Sequence, residues 1–246
     1  MTFLQLLVLS CVSGVLVSSM TTPRKGHLAT KVRFSHPDSS IPRLNMIGTL
    51  PTVREMTLAF WVKLHQFDEY SNTVFSYAHP SDDNELAIWF EIKEVPHIAI
   101  QIHSGEGHHG YIPCPKIVAR QWQHITLTWS TQSGTTNAYL NGHQCTNTTI
   151  TISRGLELRS GGLVVLGADQ DSVGGGFVVK ETLEGELTDL HMWDEALDEE
   201  QISIIPSSTC TEGDLEFHGN LIDWSRSAFR AFDGVSFHPT TLCLRQ

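Results

Sequence analysis

The chain has 246 residues, 40% of them hydrophobic, and a formal net charge of −11 at pH 7. That length fits one large β domain, since sandwiches and barrels run to about 200–250 residues as a single unit. The acidic balance excludes nucleic acid as a partner, because phosphate binding needs clustered Lys or Arg and only the scattered "TPRKGH" and "KVRF" offer any.

In chain order, residues 1–19 carry no charged side chain and hold the apolar run "FLQLLVLSCVSGVLV" ahead of Ser18 and Ser19. This is the pattern of a secretory signal peptide, with cleavage expected near Ser19 and a mature chain of residues 20–246. The run falls short of the ~20 apolar residues of a comfortable span, and no later segment is long and uncharged enough to cross a bilayer. The expectation is a secreted, extracellular protein with no transmembrane segment. Cys11 leaves with the signal; Cys114, Cys145, Cys210 and Cys243 remain, an even set suited to an oxidising compartment. None has CxxC spacing. Three pairings are open, of which the sequential one, Cys114–Cys145 and Cys210–Cys243, is the simplest, the second closing a looser C-terminal tail. Asn147-Thr148-Thr149 is a glycosylation sequon, usable where its loop faces solvent.

The apolar residues then fall in short alternating runs: "MTLAFWVKL", "TVFSYA", "LAIWFEI", "HIAIQI", "HITLTW", "NAYLN" and "GLVVLG". Period-two patterning broken by turns predicts an antiparallel all-β sandwich or barrel. One helix is predicted at "ALDEEQISII", where Asp198 caps, Gln201 follows three residues on, and Ile202 and Ile205 share a side.

Between the last strand run and that helix lies "LGADQDSVGGGF", residues 166–177, where Asp169, Gln170 and Asp171 precede three glycines. Oxygens packed this closely repel unless a hard cation lies between them, and Ca²⁺ takes about six to eight oxygens from flexible loops. The competing reading is a polar hairpin whose Asp and Gly residues supply turn geometry alone. His103, His108 and His109 lack spacing that fixes a tetrahedral metal site. Glu184 and Glu186 lie on one strand face, but do not form a glycosidase strand motif, and no nucleotide loop, HExxH helix or GxSxG elbow is present. An enzyme is not expected.

These residues carry a resemblance to the pentraxin family. "QHITLTWSTQSG" is similar to the family signature, with His124, Thr128, Trp129 and Thr131 in place and Thr126 where the signature has cysteine. "LGADQDSVGGGF" followed by "LEGELTDLHMWDEAL" resembles the family's calcium-loop region, and "FSYAHPSDDNELAIWF" its first calcium segment. The cysteine's partner position is Ala59, so both halves of that disulfide are replaced together, and Ala with Thr is expected to pack between the sheets. Cys210 and Cys243 resemble the tail cysteines of long members of the family, which flank a segment like "GNLIDW".

The resemblance implies a two-sheet antiparallel jelly-roll sandwich, concanavalin/laminin-G-like, with one short α-helix. It implies a first Ca²⁺ site from Asp83, Asn84, Asp169, the main-chain oxygen of Gln170, and Asp171. A second ion would rest on Glu181 and on position 178, where Val178 offers no oxygen, so that site is expected to be weakened or absent. Trp89 aligns with the pocket aromatic and Glu106 with its acidic partner. The implied function is calcium-dependent, lectin-like binding of phosphorylated groups, of phosphocholine or phosphoethanolamine type, or of acidic glycan groups and lipid head groups, by a cyclic homo-oligomer, a pentamer being favoured. The alternative is a calcium-independent adhesion or matrix module that binds protein partners.

Overall fold

The computed structural model describes residues 15–17, 30–35, 40–67, 71–208, 218–240 and 242. In chain order the first strands are β1 (Val15–Val17), β2 (Thr30–Phe34), β3 (Arg43–Met46), β4 (Glu55–Leu64), β5 (Asn72–His79), β6 (Asp82–Ile92), β7 (Pro96–Gln101) and β8 (His109–Pro113). There follow β9 (Gln123–Ser130), β10 (Thr135–Leu140), β11 (His143–Gln144), β12 (Ile150–Thr151), β13 (Leu163–Leu166), a 3₁₀ turn at Val179–Glu181 and β14 (Gly185–Trp193). Helix α1 (Glu199–Ser208) precedes β15 (Ile222–Asp223), β16 (Phe229–Phe232) and β17 (Ser236–Pro239).

The strands pair antiparallel into two sheets. One runs β1-β16-β3-β13-β5-β6-β7-β8; the other runs β11-β10-β9-β4-β14-β2-β17, with β12 on β10 and β15 on β14. The sandwich core lies between them, and the period-two pattern decides which residues enter it. On β4, Met56, Leu58, Phe60, Val62 and Leu64 face the core, while Ala59 faces away and joins Tyr139, Trp193, Leu197, Ile202 and Ile205 beneath the helix. The helix starts where the sequence predicts: the Gln201 amide donates to Asp198 Oδ1 at 2.9 Å and the Asp198 amide donates to Gln201 Oε1 at 3.0 Å, a reciprocal capping box.

Ala59 and Thr126 are Cα partners across β4 and β9. The lost family disulfide would therefore have joined neighbouring strands of one sheet, which corrects the expectation that this pair packs between sheets. The Cys114–Cys145 disulfide is formed, joining the end of β8 to the chain just after β11. Cys210 and Cys243 lie outside the described residues, as do most of residues 1–19; Val15–Val17 pairs with Phe229–Ala231 as an outer strand. Among the described residues, no helix is long and apolar enough to cross a membrane. Asn147 is exposed, in the loop before β12.

Candidate metal and ligand site

Strand β5 is flanked by β13 on one side and β6 on the other. That order brings residues 82–84, at the start of β6, beside the loop that follows β13. The loop is held by Gln170, whose buried side-chain amide donates to the Ser76 carbonyl at 3.1 Å and the Leu163 carbonyl at 3.1 Å, while its Oε1 accepts from the Gly174 amide at 2.9 Å. Gln170's side chain is thus spent inside the protein. Two glycines are required by geometry. Gly167 has φ +88° and a Cβ there would lie 2.3 Å from Phe34; Gly176 has φ +75° and a Cβ there would lie 2.6 Å from the Asp171 Cβ. A paired Ser172–Gly175 turn closes the tip.

The turn geometry is real, yet it does not account for the carboxylates. Asp169, Asp171 and Glu181 bring one oxygen each to within 4.8 Å of one another. Asp169 Oδ1 is buried and has no hydrogen-bond partner. Burial, and then the nearby charges of Glu181 and Asp171, push the Asp169 carboxyl up to about 6, against the hydrogen bonds to Ser76 and Gln170. Burial and Asp171 raise Glu181 as well. A protein gains nothing by collecting and desolvating anions without a counter-charge; a hard divalent cation fits this all-oxygen set.

Two cavities flank the cluster. One, of about 400 Å³, is lined by Asp82, Asp83, Ser104 and Asp171 among others. The other, of about 490 Å³, is lined by Asn84, Asp169 and Glu181 and also by Trp89, Glu91 and Tyr111. Asn84 is oriented by its own hairpin: Nδ2 donates to Asp83 Oδ1 at 3.2 Å and its amide to Asp82 Oδ1 at 3.1 Å. Asp83 and Asp171 therefore line one cavity and Asn84, Asp169 and Glu181 the other, and Gln170 lies behind them as the anchor. Val178 is exposed, just before the 3₁₀ turn that carries Glu181.

The aromatic wall follows from strand register. Trp89 on β6 pairs with Ala99 on β7, and Ala99 with Tyr111 on β8. The small residue between them leaves room for the rings to meet edge to face, with centroids 6.2 Å apart. This row lies on the face away from the core, because Ile88 and Phe90 beside Trp89 point inward. Trp89 is thus a surface aromatic. Glu106 is exposed in the β7–β8 loop and lines neither cavity. The carboxylate beside the tryptophan is Glu91, whose Oε2 accepts from Trp89 Nε1 at 3.4 Å. Sequence reasoning missed it, although its place two residues after Trp89 in "LAIWFEI" puts both on one strand face.

A second acidic group, Asp82 with Glu85 and His103, already has a counter-charge of its own in Arg159. Arg159 Nη2 lies 2.5 Å from Glu85 Oε2 and 3.4 Å from Asp82 Oδ2, and His103 Nδ1 lies 3.4 Å from Asp82 Oδ2. This network holds the root of the Asp83–Asn84 hairpin. His108 is bound to Ser153 Oγ at 3.0 Å and His109 leans on Tyr111, so the loop histidines do not converge. His124 of the signature is wholly buried beside Trp61, and desolvation lowers it to about 4, a neutral core histidine.

An all-β sandwich with a carboxylate cluster opening beside two half-buried aromatic rings has the features of a lectin-like recognition protein. Residues 32–239 match the Pentaxin family. C-reactive protein 1.4 of Limulus polyphemus is 37% identical over 225 residues, 89% of each chain. Neuronal pentraxin-2 of Cavia porcellus is 30% identical, with 94% of this chain and 52% of that protein covered. Among solved structures, the native heptameric SAP-like pentraxin from Limulus polyphemus superposes with a TM-score of 0.78 at 32% identity, covering 88% of this chain and 97% of that one. The chain belongs to the pentraxin family, a family of recognition proteins rather than enzymes.

Proposed function

We propose that the protein is a secreted, calcium-dependent recognition protein that binds phosphorylated or acidic groups on glycans and lipid head groups. The observation that carries the reading is the opening of the Asp169 cluster, with its unpartnered buried oxygen, into the same cavity as Trp89, Tyr111 and Glu91. Asp83, Asn84, Asp169, Asp171 and the Gln170 carbonyl would hold one Ca²⁺, with Glu181 serving a second, weaker position. The bound ion supplies a positive centre that accepts anionic oxygen. The chain's own residues supply the rest: the Trp89 and Tyr111 rings favour a quaternary or primary ammonium and Glu91 offers it a carboxylate, a place that the exposed Lys93 ammonium now takes, 3.2 Å from the Tyr111 ring centroid and 3.8 Å from Glu91 Oε1, and that a ligand would take by displacing it. A phosphate–ammonium zwitterion of phosphocholine or phosphoethanolamine type matches both ends.

Family membership and the heptameric Limulus relative support a cyclic homo-oligomer, in which individually weak sites gain avidity. That relative also leaves the subunit number open to seven as well as the five that the resemblance favours. The test is binding of the untagged protein to phosphocholine, phosphoethanolamine and acidic-glycan surfaces with Ca²⁺ and with a chelator. Capture that persists in chelator would overturn the reading and favour the calcium-independent adhesion module. Glu91→Gln should weaken phosphocholine capture severalfold while leaving Ca²⁺ binding unchanged.

A further inference from the structure

We infer that His191, His218 and Asp223 form a second, separate metal site, for a transition ion of the zinc class, that staples the C-terminal segment to β14. The three residues offer ligand atoms that all lie within 4.8 Å of one another. His218 Nδ1 is 3.3 Å from Asp223 Oδ2, and His191 Nδ1 is 3.8 Å from Asp223 Oδ1. Ligand atoms on a tetrahedral ion with bonds of ~2.0–2.1 Å stand about 3.3–3.5 Å apart, so the His218–Asp223 pair already has that spacing and the His191–Asp223 pair is a few tenths of an ångström wider. A mixed imidazole and carboxylate set selects zinc-class ions over calcium, which takes oxygen.

Three further features support this assignment. First, Asp223 is buried, its side chain 7% exposed, and its Oδ2 has no hydrogen-bond partner. Its cationic neighbour there, Arg226, approaches at 3.4 Å from a side chain that is 74% exposed and free to swing into solvent. Second, the tautomer of His191 is set for ligation. Its Nε2 lies 3.0 Å from Asp189 Oδ1, which accepts the ring proton, while Nδ1 accepts a long 3.3 Å bond from the Gly219 amide. A carboxylate on the far nitrogen is the usual outer-shell partner of a metal-bound histidine. Third, Asp189 and His191 are aimed by a register shift in β14 between Thr188 and His191, with Asp189 at φ +53°. Bulges commonly re-aim side chains at functional positions. The rings of His191 and His218 are 5.6 Å apart, and the His218 side chain, 27% exposed, provides the way in.

The site joins β14 to residues 218–223, which β15 and the "GNLIDW" stretch tie to the sheet by two register pairs. Metal binding should therefore stabilise the fold. The experiment is equilibrium dialysis of the untagged full chain against micromolar Zn²⁺ with Ca²⁺ in large excess, which keeps the Asp169 cluster out of the measurement. One Zn²⁺ per chain is expected, with a zinc-dependent rise in melting temperature. His218→Ala and Asp189→Asn should each weaken zinc binding about tenfold or more and leave Ca²⁺ binding unchanged. Co²⁺ in place of Zn²⁺ should give the intense visible bands of a tetrahedral ion in the wild type, a reading independent of how the variants fold. No retained Zn²⁺, retention that excess Ca²⁺ abolishes, retention that folded His218→Ala leaves intact, or the faint spectrum of octahedral Co²⁺ would each overturn the assignment.

Discussion

Asp169 offers the sharpest test of the calcium reading, because protons and the cation compete for the same desolvated carboxylate. With its pKa pushed up to about 6 by burial and by Glu181 and Asp171, Asp169 is about nine-tenths ionised at pH 7 and about one-tenth ionised at pH 5. Ca²⁺ needs the anion, so its dissociation constant should rise about tenfold between those pH values. An ordinary aspartate, with pKa near 3.9, would lose only about a tenth of its anion over the same range.

The apo fold responds with the opposite sign. A carboxyl whose folded pKa lies above its unfolded one contributes stability that is present below pH ~4 and lost as pH rises through about 6. The shift of roughly two units corresponds to about 3 kcal/mol as an upper figure. In chelator, Asp169→Asn should therefore be more stable than wild type at pH 7 by about 1–3 kcal/mol, with the difference vanishing near pH 4. Taking the difference cancels the acid destabilisation that buried His124 imposes on both proteins. Added Ca²⁺ should reverse the order, stabilising wild type by about 2.7 kcal/mol at a hundred times its dissociation constant and the variant little. Calorimetry at pH 5, 6 and 7 with urea unfolding checks both halves. A calcium affinity flat across this range, or an equal pH dependence in Asp169→Asn, would refute the competition.

Asp171 lines the cavity beside Asp82 and Asp83 and groups with Asp169 and Glu181, which line the other, so Asp171→Ala should weaken both calcium steps in calorimetry, whereas Val178→Glu should tighten only the weaker one. Arg159→Ala should destabilise the fold by about 1–3 kcal/mol in urea, below the ~3–5 kcal/mol of breaking a fully buried pair, because fully buried Glu85 loses its main counter-charge but Arg159 is itself partly screened by solvent. Removing the Cys114–Cys145 link, whose residues are 31 apart, should cost about 3–4 kcal/mol by loop entropy, measured as a lowered urea midpoint; non-reducing peptide maps should also show Cys210 joined to Cys243. Amino-terminal sequencing of the secreted protein should begin near residue 20, which would remove Val15–Val17 and leave β16 as the outer strand of its sheet.

The alternating runs made the sandwich legible because each inward residue of β4, β6 and β7 falls on one parity, and the capping pair Asp198–Gln201 marked the start of the helix, which runs past the predicted Ile205 to Ser208. The segments proposed to hold calcium were singled out through the family's motifs, since carboxylate spacing alone fits a turn as well as a metal loop. Topology was not legible in the same way. Nothing in "SDDNELAIWF" or "LGADQDSVGGGF" says that β5 will separate β6 from β13, yet that order is what makes residues 84 and 169 share a cavity.

Glu91 and Glu106 differ in what fixes their place: Glu91 lines the cavity beside Trp89, and Glu106 lines neither cavity. Glu106 was reached by aligning a long loop, where an insertion moves a side chain without any periodic constraint to correct it. Glu91 obeys such a constraint: the pleat puts it beside Trp89 whatever the loops do, and the Trp89–Ala99–Tyr111 row puts a ring on either side of a small residue. The same logic exposes the cluster around His191. The bulge at Asp189 breaks the alternation of β14 at one point, so period-two reading assigns these side chains to a plain strand face. Only the register shift shows Asp189 against His191 Nε2 while His191 Nδ1 faces Asp223. Strand positions that a fixed pleat determines can be read from sequence, and those that an irregularity or a long loop determines must be read from the pairing.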